Sequence, residues 1–296
     1  MSATAKLPGR WPRRFTSAPR LRLGWHVAQR TYAEFFADSI PTVAGGITFF
    51  VLLALFPGIA SVMSLYGFFA DRASVAHDLD LVSGFLPGGA ITVLRAELLR
   101  LKAQDLDTPN FAFFANTAIA LWSASGGFKA LIEGLNVAYE VKETRGFLTL
   151  SRNALIFTVA AVLFAVVGIS LGLALPAWVV SSDAERWVRI AVHVVAWPIS
   201  FLAGTLTLAL IYRFGPDRKN VRWRWITWGS AIASLLWLLG TLLFTWYVEH
   251  YGSYDRVYGS LGAAVGFLTW VWLSLVILLL GAEINCELER GESELK

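Results

Sequence analysis

The sequence is short of charge. Asp, Glu, Lys and Arg make up 16% of its 296 residues, whereas soluble domains run nearer a quarter, so an ordinary soluble domain is excluded. Cysteine occurs once, as Cys286, which rules out an intramolecular disulfide and any metal site built from several thiolates. The four histidines (His26, His77, His193, His250) are scattered and unpaired. Metal-dependent RNA cleavage needs a cluster of His and Asp ligands, and none is suggested here. Neither His-Glu-x-x-His nor the nucleotide-binding Gly-x-x-x-x-Gly-Lys-Ser/Thr is found. No cofactor, no metal site and no enzyme is therefore expected. The N-terminus has no short apolar core ending in small residues, so a cleavable signal peptide is not expected either.

What is present is apolar sequence: 56% hydrophobic residues and a mean hydropathy of +0.58. Six stretches carry no Asp, Glu, Lys or Arg: 39–70, 108–128, 153–182, 190–212, 225–248 and 257–282. Each exceeds the roughly 18 residues that mark a spanning candidate. The fold class read from this is all-α, a polytopic membrane bundle of six transmembrane helices, at about 41–66, 109–133, 153–180, 190–212, 225–248 and 259–282. An interfacial amphipathic helix is expected over Leu23–Asp38, and an amphipathic segment, Gly89–Lys102, between spans one and two. Residues 1–22 read as a basic cytoplasmic tail, 23–290 as one membrane domain and 291–296 as a second tail. Threaded with the N-terminus inside, 17 basic residues fall inside and 7 outside. The positive-inside rule then places both termini in the cytoplasm. That topology also accounts for the net charge of +4 without nucleic acid.

The stretch Trp122–Glu140 departs from this pattern. The apolar run before it, Phe111–Leu121, is too short to cross a bilayer, which takes about 20 residues. The span must therefore carry polar sequence with it. At helical spacing Ser125, Lys129, Glu133, Asn136 and Glu140 share a face. Charges at membrane depth are functional candidates. Glu283 and Asn285 lie at the inner end of span six, and Asp38 precedes span one. Lys129, Glu133, Asn136, Glu283, Asn285 and Asp38 thus form the expected polar cluster. Pro57 should kink or break span one, and Gly259, Gly262 and Gly266 should let span six pack closely. Gly168 and Gly172 make a similar small-xxx-small pair in span three.

With these residues assembled, the chain resembles the YihY/virulence factor BrkB family of bacterial inner-membrane proteins. The resemblance runs from about Phe35 to Arg290. It rests on Phe49-Phe50 through Leu55-Phe56-Pro57 and on Ala130-Leu131-Ile132-Glu133-Gly134-Leu135-Asn136-Val137-Ala138-Tyr139. Further matches are Tyr212-Arg213-Phe214-Gly215-Pro216, Gly252-Ser253-Tyr254 with Tyr258-Gly259-Ser260-Leu261-Gly262, and Gly281-Ala282-Glu283-Ile284-Asn285 with Glu287-Leu288. It implies a multi-pass inner-membrane protein of six helices whose biochemical activity is unsettled. The label ribonuclease BN, once attached to the family, has no support in these residues. The expected function is translocation of a lipid or small solute through a polar cluster in the bundle. The alternative is a membrane scaffold or envelope-assembly factor that transports nothing. Expected partners are membrane lipids and a lipid or small-molecule substrate, with a homo-oligomer left open and no nucleic acid.

Overall fold

The computed structural model describes residues 19–69, 111–181, 186–218, 227–251 and 262–294. Most of the basic tail, the Gly89–Lys102 segment, the basic loop from Lys219 and Gly259 lie outside the described residues. Within them the chain forms seven α-helices and no strand. They are α1 (Pro19–Ala37), α2 (Ile40–Phe69), α3 (Phe111–Ala138), α4 (Phe147–Ser181), α5 (Arg186–Phe214), α6 (Trp228–Tyr251) and α7 (Gly262–Glu294). Helix is the only regular structure that an apolar segment can form alone with every backbone group satisfied.

By length and composition three described helical segments can cross a membrane: Phe147–Val167 in α4, Trp228–Val248 in α6 and Val265–Gly291 in α7. A bent pair, Gly24–Ala37 with Ile40–Leu55, would make a fourth. Among the described residues α3, whose second half is polar, is not in this set. Large apolar side chains such as Phe49, Leu53, Phe164, Leu243 and Trp246 are exposed, while Ser125, Asn136, Glu283 and Glu287 are buried. This inverts the soluble pattern and suits a lipid surround.

α7 is the central element. It packs against α1, α2, α3 and α6, while α2 and α3 form the most extensive single helix pair. The shared core is built from Ile40, Ala44 and Ile47 of α2, Leu131 and Leu135 of α3, Tyr212 of α5, and Leu275, Leu279 and Ala282 of α7. Two crossings depend on glycine. On α3, a Cβ at Gly134 would lie 2.5 Å from Ile47 Cδ1 of α2. Where α6 meets α7, Gly229 faces Gly281: a Cβ on Gly281 would run into the Tyr212 hydroxyl and come within 2.6 Å of Ala233 Cβ. Gly266, expected to be a close-packing residue, has nothing among the described residues within 4 Å of where its Cβ would be. The close approach in α7 is four turns further along, because it needs a facing glycine and Gly229 supplies it.

The boundary expected between the interfacial helix and span one is a sharp turn. α2 stays helical through Pro57, and Ser61 Oγ donates to the Pro57 carbonyl at 2.9 Å. The sharp turn is at Asp38-Ser39, where the axes of the flanking helices differ by 59°. Ser39 adopts a left-handed φ of 51°, and its carbonyl accepts from Thr42 N (2.8 Å) and Val43 N (3.1 Å) to open α2. Pro41 in that first turn has no N–H to leave unsatisfied. Several hydroxyls buried in the apolar helices bond to their own helix. Thr48, Thr158 and Thr205 each donate to the carbonyl four residues back, and Ser125 to Trp122 O at 2.6 Å.

Candidate functional site

The polar residues gather where α3 ends and α7 runs past it. α3 closes with a paired turn: Val141 N donates to Asn136 O (2.9 Å) and Glu140 N to Val137 O (2.8 Å). Glu140, at φ 50°, takes the left-handed position usually given to glycine. This turn aims Asn136 away from the helix axis and into two loops. Its Nδ2 donates to Glu143 Oε2 at 2.8 Å, and its Oδ1 accepts from Asp217 N at 2.8 Å. Arg145 grips Glu143 through Nε at 2.7 Å and Nη2 at 2.6 Å, then reaches Gly215 O at 2.9 Å. Asp217 accepts from Thr144 N at 2.8 Å and from the Thr144 hydroxyl. The Arg145 guanidinium holds the Glu143 carboxyl below the usual carboxylate range, and Glu143 in turn raises Arg145. The loops after α3 and α5 are thereby clasped together.

A second polar group lies on α7. Leu279, Ala282, Glu283, Cys286, Glu287 and Arg290 recur at three- and four-residue spacing, so the apolar face of the helix continues into a charged one. Glu283 and Glu287 are each only 2% exposed. Arg290 bonds Glu140 at 2.6 Å and Glu287 at 2.8 Å, and Arg30 of α1 lies 3.9 Å from Glu287. Asp38, at the α1–α2 break, is within side-chain hydrogen-bonding reach of Glu283. Between the two groups stands Asn285. Its Oδ1 accepts from Gly229 N at 3.0 Å, and its Nδ2 donates to Thr227 Oγ1 at 3.0 Å and to Tyr139 OH at 3.3 Å. Tyr139 in turn carries the Arg218 guanidinium 3.9 Å above its ring.

Six residues were expected to cluster, and the structure distributes them over several surroundings. Asp38 and Glu283 come together. Asn285 is next to them on the α6 side of α7, and Asn136 belongs to the loop clasp. Lys129 is elsewhere, with Nζ 5.1 Å from the ring centres of both Trp122 and Phe147, an arrangement suited to an aromatic belt. Glu133 is exposed. Glu34, Arg290, Glu143, Arg145 and Asp217 were not expected in the cluster, nor were Glu140, placed on the polar face of α3, and Glu287, part of a matched motif. A spacing cue existed for part of this: Glu34 of α1 with Asp38 just past its end, and Glu283 with Glu287 on α7, are both i, i+4 acid pairs.

Among the described residues no three His, Cys, Asp or Glu side chains are grouped to hold a metal ion. Gly168-Ile169-Ser170-Leu171-Gly172 has the spacing of a nucleophile elbow but sits inside α4, whereas that motif works only at a strand-to-helix turn.

A sequence model described as "Virulence factor BrkB" matches residues 31–296. The chain belongs to the virulence factor BrkB family. Curated relatives include a Bacillus subtilis protein named as ribonuclease-like, YfkH, 28% identical over 82% of this chain and 88% of its own length. A UPF0761 membrane protein of Ralstonia nicotianae is 26% identical over 92% of this chain, which spans 60% of that protein's length. Another, from Haemophilus influenzae, is 22% identical over 87% of this chain and 93% of its own length. No solved structure matches. The chain is thus an integral membrane protein of the BrkB/UPF0761 family, and the Ralstonia and Haemophilus relatives are named as membrane proteins. The ribonuclease-like name belongs to a relative at 28% identity and is a weak guide.

Proposed function

We propose that this BrkB family member translocates a lipid or small solute across the bacterial inner membrane, using the polar groups around α7. The observation that carries this reading is the pair Glu283 and Glu287, each 2% exposed on a helix apolar enough to cross a bilayer. Carboxylates are expensive at membrane depth and are kept there mainly for passage of ions, protons or polar substrates. In this reading α2 to α7 are the six spans, both termini are cytoplasmic, and the α7 polar face lies near the cytoplasmic side. The excess of basic residues in the inside segments supports that orientation. The exposed aromatic side of α1, formed by Trp25, Tyr32 and Phe36, suits a helix lying at the interface.

The test is reconstitution into liposomes with fluorescent phospholipid in one leaflet or a labelled solute inside. Protein-dependent flux that falls at least tenfold in Glu283→Gln supports the proposal. Absence of flux for every lipid and solute tried, from protein shown to be folded, would leave the scaffold reading in its place. Orientation is checked by placing single cysteines in a Cys286→Ala background and labelling intact cells.

A further inference from the structure

The acids around α7 outnumber the bases. Glu34 and Arg30 face the group from α1, Asp38 from the α1–α2 joint, Glu140 from the end of α3, and Glu283, Cys286, Glu287 and Arg290 from α7 itself. That is five carboxyl groups and two guanidinium groups. Arg290 is engaged by Glu140 and Glu287, and Arg30 approaches Glu287. Asp38 and Glu283 face each other, with the Arg290 guanidinium near enough to act on Asp38. Asp38 Oδ2 and Glu283 Oε1 are buried with no hydrogen-bond partner among the described residues. An ionised carboxylate can only accept hydrogen bonds, so two of them in contact repel. A single proton between them turns that contact into a short, charge-assisted hydrogen bond.

We propose that Asp38 and Glu283 together form a proton-binding site that fastens the α1–α2 joint to α7. With the proton in place, the carboxyl pair links the two elements through one strong hydrogen bond. With it removed, two adjacent negative charges sit in a group already rich in acid, and the joint is pushed off α7. The joint is a sharp one: Ser39 holds a left-handed backbone there and the axes turn by 59°. The two protons of the fully protonated pair leave in separate steps that belong to the pair, not to either residue. A metal ion is not the occupant favoured, because no three candidate ligands are grouped among the described residues. The site needs no translocation to exist, so it stands or falls separately from the transport reading.

The experiment is infrared difference spectroscopy on the full-length protein in lipid nanodiscs, titrated from about pH 9 to about pH 5, a range that brackets buried carboxyl groups. A band from the C=O stretch of a protonated carboxyl, shifted in deuterated buffer and equivalent to one proton per chain, is expected for the wild type. It should vanish in Glu283→Gln and move in Asp38→Asn, both amide isosteres whose folding is checked by circular dichroism. A titration with no such band, or a band unchanged in both variants, overturns the proposal. So does a band that added sodium abolishes and added potassium does not, because the pair would then hold a metal cation. If Glu283→Gln fails to fold, Asp38→Asn decides: an unmoved band excludes Asp38 as partner.

Discussion

Replacing Gly281 by alanine tests the packing on which the α7 polar face depends. The added Cβ would lie 3.0 Å from Gly229 O and 2.6 Å from Ala233 Cβ, and would collide with the Tyr212 hydroxyl. None of these can yield easily. Two belong to the neighbouring helix α6, close to its backbone. Tyr212 is 1% exposed and donates its hydroxyl to Leu278 O at 2.7 Å. Overpacking of this kind costs about 1–3 kcal/mol. Displacing a buried hydroxyl from its acceptor adds about 1–3 kcal/mol. A total of about 2–6 kcal/mol corresponds to roughly 30- to 20,000-fold in the unfolding equilibrium, at about tenfold per 1.4 kcal/mol. Gly266→Ala is the control: nothing among the described residues lies within 4 Å of its Cβ position, and alanine is better than glycine in a helix by about 0.8–1 kcal/mol. Reversible unfolding in mixed micelles, followed by circular dichroism, should therefore move the two variants in opposite directions. A Gly281→Ala protein within about 0.5 kcal/mol of wild type, the usual range for a surface change, would refute the α6–α7 crossing described here.

Three other outcomes follow from the site geometry. Asn136→Ala removes both links to the loop clasp and strands Asp217 N–H, so stability should fall by about 2–4 kcal/mol in the same assay. The Glu143 carboxyl, held low by Arg145 and Asn136, contributes stability at pH values above its unfolded pKa. That contribution disappears as the pH falls through its lower folded value, and Glu143→Gln should flatten this acid limb of the stability profile. Glu140→Gly relieves a left-handed residue, worth about 1–2 kcal/mol, while losing a half-exposed ion pair to Arg290 worth about 0–1 kcal/mol. It should be neutral or stabilising, whereas Glu140→Ala keeps the strain, loses the pair and should destabilise.

The Pro57 and Gly266 outcomes show where reading a sequence stops. Pro57 lacks a donor, yet α2 stays helical there, and the 59° turn falls at Asp38-Ser39, the boundary expected between the interfacial helix and span one. Gly266 has the composition of a packing residue but not the neighbour. Lys129 and Glu133 share a face with Asn136 at helical spacing, but the neighbours differ along that face. Aromatic rings meet the first, solvent or lipid the second, and a loop from α5 the third.

By itself the sequence determined that this is a helical membrane protein. The spacing of charges decides which segments can leave water, and a segment without water must satisfy its own backbone. It also determined that α7 ends in polar residues and that α3 cannot be purely apolar. Only the tertiary structure decided which of those residues meet. Asn136 and Asp217 are 81 residues apart in sequence, and Asp38 and Glu283 come from opposite ends of the chain. Periodicity fixes the face a side chain occupies, but its partner depends on which helices are neighbours and how each is rotated. Those choices are made by the glycine crossings and the shared apolar core. The Asp38–Glu283 contact is a product of that packing.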